Sequence, residues 1–222
     1  INGKATPPVN IHPWEYPSGP WQRVHIDYAG PLMGKMYLVI VDAYSKWMDV
    51  HVTTSATSET TIQKIRESFS IFGLPKTIVS DNGTCFASAE FQRFTTRNGI
   101  EHMFSPPYHP GSNGLAERSV QSLKEGIKKM AGGTPESKVT RFLFRYRTLP
   151  HSTTGKSPAE LMIGRRMRTC LDLIHPDETS KVVKLQSTQK AYKDAHAHNK
   201  MFQVGDPVYV TNFGSGQRWI PG

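Results

Sequence analysis

The feature that most narrows the possible folds is an uninterrupted run of apolar residues, Tyr37-Leu38-Val39-Ile40-Val41. A strand with one face in water alternates apolar and polar side chains. A continuous run needs cover on both faces. Residues 36–42 therefore read as a buried strand, 43–46 as a hairpin turn and 47–53 as the partner strand. Residues 23–28 read as an earlier strand, stopped by Gly30-Pro31, and 77–79 as a later one. Between them Ile62, Ile65, Phe69 and Phe72 recur at helical spacing, with Gly73 and Pro75 as the stop. Residues 89–97 form a short helix closed by Asn98-Gly99, and 101–105 a last strand. This β-β-β-α-β-α-β-α order predicts an α/β protein, a five-stranded mixed sheet flanked by helices.

A loop with three prolines and Gly111 spans residues 106–113 and hands over to a helix at 114–130. There Ala116, Val120, Leu123, Ile127 and Met130 make an apolar stripe. Glu117, Gln121, Lys124 and Lys128 repeat that spacing one residue later, about 100° around the helix. Glu117 thus sits at the margin of the buried stripe, with Lys124 and Lys128 on its row. Residues 136–146 form another helix, and Ser157-Pro158-Ala159-Glu160 is a helix-start pattern. Residues 181–200 are long, polar and helical in character. From 202 the pattern changes, with Val208 and Val210 alternating among glycines. Some twenty residues cannot bury a core alone. The expected organisation is a proline-rich extended lead-in at 1–17, a core at 18–165, a partly helical linker at 166–201 and the truncated start of a small β module at 202–222. The chain lacks an initiator Met and reads as a fragment.

At 222 residues and 37% hydrophobic content, the chain can bury one substantial core. It has no apolar run of membrane-spanning length and no signal-peptide pattern. Its two cysteines, Cys85 and Cys170, form no CxxC pair and make no disulfide scaffold. The net charge of +9 is concentrated: residues 118–168 hold 12 Lys/Arg against 3 Asp/Glu, whereas residues 1–117 hold 9 against 10. Such concentration is the footprint of a polyanionic partner, beside the bland reading of a solvated basic face.

Asp27, Asp81 and Glu117 stand at the ends of three predicted elements, with 35 residues between the last two. Three converging carboxylates suit a pair of hard divalent cations, Mg²⁺ or Mn²⁺, which activate an attacking oxygen and stabilise a leaving one in phosphodiester chemistry. Taken singly, Asp81-Asn82-Gly83 reads as a turn and Glu117 as a first-turn acid favoured by the helix dipole. Asp42 is an alternative third ligand. His25 and His109 belong to no four-ligand zinc spacing.

In these residues the chain resembles the integrase catalytic domain of retroviruses and Ty3/gypsy-type retrotransposons. The likeness covers roughly residues 18–165. It runs through Trp21-Gln22-Arg23-Val24-His25-Ile26-Asp27, Asp42-Ala43-Tyr44-Ser45-Lys46-Trp47, Phe72-Gly73-Leu74-Pro75, Ser80-Asp81-Asn82-Gly83 and the stretch from Tyr108 to Arg118. The interval from Asp81 to Glu117 is the family's D,D-35-E spacing. The resemblance implies an RNase H-like fold and a two-metal DNA strand transferase that trims 3′ ends and joins them to target DNA. Asp27, Asp81 and Glu117 match the catalytic and metal-binding triad. Tyr108, His109, Gly111 and Asn113 match an active-site loop that meets DNA, and Lys124 a DNA-contacting position. Gln121 and Lys128 complete the expected contact row, Gln121 standing where retroviral members often carry Lys.

Element-end DNA, target DNA, a homodimer or homotetramer and a nuclear location follow as expectations, with no membrane. The family's zinc-binding N-terminal module is missing, and Phe202-Gln203-Val204-Gly205-Asp206 resembles the first strand of its SH3-like C-terminal module. Two other readings stand beside the transferase: a catalytically idle, host-adopted integrase that binds DNA or serves as a scaffold, and an RNase H-type nuclease.

Overall fold

The computed structural model describes residues 14–105, 113–173, 179–196 and 203–221. They fall into two units, residues 1–169 and 170–222. In the first unit, strands β1 (Arg23–Leu32), β2 (Lys35–Asp42) and β3 (Met48–Thr53) precede helix α1 (Ser58–Phe72). Strand β4 (Thr77–Ser80), helices α2 (Thr84–Ala87) and α3 (Ala89–Arg97) and strand β5 (Glu101–Phe104) follow. Helices α4 (Gly114–Lys128), α5 (Pro135–Thr148) and α6 (Pro158–Ile163) complete it. The sheet order is β3-β2-β1-β4-β5. β1 pairs antiparallel with β2 and parallel with β4, so the sheet is mixed as expected.

β2 shows why both faces are covered. Leu38 and Ile40 enter one core with Ile62 and Ile65 of α1 and Phe91 and Phe94 of α3. Tyr37, Val39 and Val41 enter the opposite core with Val120, Leu123 and Ile127 of α4 and Val139 and Leu143 of α5. All five β2 side chains are at most 1% exposed. The same alternation along β1 sends Val24 and Ile26 to the α1–α3 side and Ala29 to the α4–α5 side.

β1 does not stop at Gly30-Pro31. It continues to Leu32 through an irregularity in its pairing with β2. Met33 and Gly34, at φ +52° and +70°, form the two-residue hairpin loop, whose positive φ values match the strand twist. The short helix α2 carries no sequence periodicity of its own. α6 begins on a capping box: Ser157 Oγ accepts from the Glu160 N–H, and Glu160 Oε2 accepts from the Ser157 N–H at 3.0 Å. In the second unit, α7 (Thr179–His196) precedes a two-stranded hairpin, β6 (Tyr209–Thr211) with β7 (Trp219–Pro221). Among the described residues no helix is long and apolar enough to cross a membrane.

α4 and α5 approach closely because Gly126 has no side chain: a Cβ there would lie 2.3 Å from the Phe142 ring. Gly126→Ala is expected to lower unfolding free energy by about 1–2 kcal/mol, overpacking outweighing the better helix propensity. Chemical denaturation measures this, and adding Phe142→Leu should restore part of the loss.

Candidate functional site

The topology places the three acids at one end of the sheet. β1 and β4 run parallel with His25 opposite Val79, which puts Asp27 two positions further along β1 and Asp81 just past the end of β4. Glu117 lies exposed in the first turn of α4, which packs on β1. The acids sense one another: burial, with the charges of Asp81 and Glu117, pushes the Asp27 carboxyl up to about 6. The Tyr28 N–H and the Lys124 charge act the other way.

They do not form a metal centre. Among the described residues no group of three or more His, Cys, Asp or Glu side chains is placed to hold a metal ion. The expectation of a two-metal strand transferase, with Asp27, Asp81 and Glu117 holding Mg²⁺ or Mn²⁺ in a DDE site, is corrected by this finding. Local donors account for the two aspartates. Asp27 Oδ1 accepts from the Tyr28 N–H at 2.7 Å, and Asp81 Oδ1 accepts from the Gly83 N–H at 2.9 Å. The second bond is the Asx turn that Asp-Asn-Gly favours. Each bond engages one aspartate oxygen, and as placed the three acids are not grouped around a shared ion, which a cation pair needs.

Asp42, the alternative ligand, is wholly structural. It is 0% exposed and accepts from the Trp21 N–H (2.9 Å), the Ser45 N–H (2.8 Å) and Ser45 Oγ (2.5 Å). A further tie, not apparent in the sequence, fixes the start of α4. His25 Nδ1 lies 3.2 Å from Asn113 Oδ1, and Asn113 Nδ2 donates to the Ile26 carbonyl. Asn113 is 1% exposed, so its side chain faces the sheet, two strand positions from Asp27. Only the alternation of β1, which turns His25 inward, signals this contact in the sequence.

The basic row is largely on the surface. Gln121 and Lys128 are exposed, Lys124 is half-buried near Asp27, and Arg118 and Lys129 extend the charge. Gln121 Nε2 donates to Glu125 Oε1 at 2.8 Å. Tyr108, His109 and Gly111 lie outside the described residues.

A model of the integrase core domain family matches residues 17–110. An uncharacterised protein of Caenorhabditis elegans is 43% identical over the whole chain, which spans 18% of that relative. The Pro-Pol polyprotein of feline foamy virus is 33% identical over 60% of the chain and 12% of its own length. The chain thus spans less than a fifth of these relatives. Among solved structures, the integrase catalytic core domain of HTLV-2, in complex with magnesium and in a trimeric form, aligns at TM-score 0.55 and 24% identity, over 65% of this chain and 97% of that one. The simian T-cell lymphotropic virus intasome, in complex with a PP2A regulatory subunit, aligns at TM-score 0.66 and 21% identity, over 99% and 74%.

The fold is thus RNase H-like. The chain belongs to the integrase catalytic-core superfamily of retroviruses and retrotransposons.

Burial also pushes His25 down to about 4, against an ordinary 6.5. The unfolded chain therefore binds this proton more readily, so stability is complete above about pH 6.5 and is lost as pH falls toward 4. His25→Gln is expected to remove on the order of 2–3 kcal/mol of that acid loss. Asp27 works in the opposite sense. Its raised value means the folded state holds the extra proton between about 4 and 6, so Asp27→Asn should steepen the acid loss. Denaturation midpoints from pH 7 to 4 test both.

Proposed function

We propose that the chain is a DNA-binding or scaffold module, an integrase core whose contribution is to hold nucleic acid rather than to carry out cation-pair chemistry. The observation that carries this reading is the concentration of 12 Lys/Arg against 3 Asp/Glu in residues 118–168, beginning on α4. Gln121, Lys124 and Lys128 are the proposed contact row. Arg141 and Arg145 of α5 and Arg165, Arg166 and Arg168 beyond α6 are exposed and add to the positive charge of this segment.

Contacts of this kind go to phosphates and position a duplex without reading its sequence. Asn113 serves the surface indirectly, by fixing where α4 starts. Element-end and target DNA are the proposed partners, and a homo-oligomer the proposed state; the HTLV-2 core has been solved in dimeric and trimeric forms. A nuclear location is proposed with that DNA partner. The proposed organisation keeps a core to residue 165, a linker to 201 and a small β segment after it.

Each lost phosphate contact makes the dependence of log affinity on log salt shallower by about 0.9. Lys124→Ala/Lys128→Ala should therefore weaken duplex binding across unrelated sequences and flatten that slope by up to about 1.8. Fluorescence anisotropy across a salt series measures this; an unchanged slope removes the row from the interface. Affinity should be the same in EDTA as in Mg²⁺ at matched ionic strength. With element-end DNA and Mn²⁺, the protein should give no more joined product than its Glu117→Gln variant. Product from the unmodified protein alone would overturn the binding reading.

A further inference from the structure

A second cationic site lies across the sheet from α4 and α5. α1 and α3 cover the other core, and between them runs a groove of about 560 Å³, lined by Glu59, Gln63, Arg66, Glu90, Arg93 and Arg97 over a floor of Ile62 and Phe94. Residues 1–117 carry one more acid than base, yet three of their nine Lys/Arg meet at this groove. Arg66, Arg93 and Arg97 are all exposed. None has an ion-pair partner among the described residues. Unshared guanidiniums gathered around a concavity are geometrically suited to carboxylates.

The charge in the groove is graded. Ser58 Oγ, at the start of α1, donates to the Cys85 carbonyl of α2, the short helix that leads into α3, and Phe69, near the end of α1, stacks on Phe94 at 6.0 Å. The two helices therefore run the same way. Glu59 and Glu90, each in a first turn, mark one end; the three arginines lie toward the other. Compensation of helix dipoles explains the first-turn acids and Arg97 in the last turn of α3. It does not explain Arg66 and Arg93, which stand in helix interiors.

We infer that this groove binds a short acidic peptide segment of a protein partner, its carboxylates on Arg66, Arg93 and Arg97. A nucleic-acid strand suits the groove poorly. Glu59 and Glu90 repel a continuous phosphate chain. The floor offers no free aromatic face for bases, because Phe94 is 7% exposed and lies under the Arg66 guanidinium at 5.4 Å. A peptide with acids at one end and a basic residue at the other matches both halves of the gradient.

The probe is a fluorescein-labelled decapeptide with two Glu at one end, central Leu residues and a Lys at the other, titrated into the full chain by anisotropy. Arg93→Gln/Arg97→Gln, which removes two exposed charges and no aromatic contact, is expected to weaken binding by about tenfold or more. Arg66→Gln should weaken it too; because Arg66 rests on Phe94, its thermal midpoint is measured alongside. Lys124→Ala/Lys128→Ala should leave peptide affinity unchanged, which separates this site from the DNA surface. Unchanged affinity in Arg93→Gln/Arg97→Gln overturns the proposal. So does loss of peptide binding in Lys124→Ala/Lys128→Ala, or displacement of the peptide by an equally charged thymidine oligonucleotide.

Discussion

No side chain between Tyr37 and Val41 reaches solvent, and every other part of the core unit answers to that constraint. A strand buried on both faces needs two helical layers, and α1 with α3 and α4 with α5 provide them. The connections then follow: β3 leads into one layer and β5 into the other. The edge strand β3 is closed by α5, since Arg147 Nε and Nη2 both donate to the Met48 carbonyl, at 3.0 and 2.7 Å. An exposed sheet edge is a pairing hazard, and a guanidinium placed on its free carbonyl blunts it.

The fate of each carboxylate in this sheet depends on how many donors reach it. Burial penalises a charge unless hydrogen bonds replace water. Asp42 receives three donors and is held with no exposure at all. Burial would raise Asp49, but hydrogen bonds from His51 and Ser68 and the Arg147 charge prevail and hold it below the usual carboxylate range. Asp27 receives one backbone donor and stands near two other acids, so its carboxyl is pushed up. Hydrogen bonds thus decide which buried carboxylates keep their charge, and Asp27 is the least supplied of the three.

Most of the fold was legible because it rests on periodicity. The apolar run of β2, the helical stripe of α1 and the stripe of α4 each fix an element and its buried face. The end of β1 was not legible: Gly30-Pro31 looks like a stop, and only the antiparallel pairing with β2 shows the strand passing through it. The site was legible in position but not in chemistry. Spacing and resemblance brought Asp27, Asp81 and Glu117 to one end of the sheet. The two aspartate carboxylates accept from the Tyr28 and Gly83 N–H groups, local bonds that sequence spacing does not encode. The inward pairing of His25 with Asn113 was hidden for the same reason, as the partners are 88 residues apart.

The two helical layers also divide the charge. The α4–α5 layer begins the segment that carries the whole positive excess, on a broad exposed surface suited to a long polyanion. The α1–α3 layer belongs to a stretch with no positive excess, and its arginines are instead gathered into a groove with acids at the far end. An extended basic face attracts any phosphate chain, with affinity that falls steeply with salt. A small graded groove discriminates, because a ligand of uniform charge meets repulsion at one end. One sheet thus separates two kinds of electrostatic recognition on opposite faces. Buried by side chains on both sides, it lets each face change its surface charge without disturbing the core of the other.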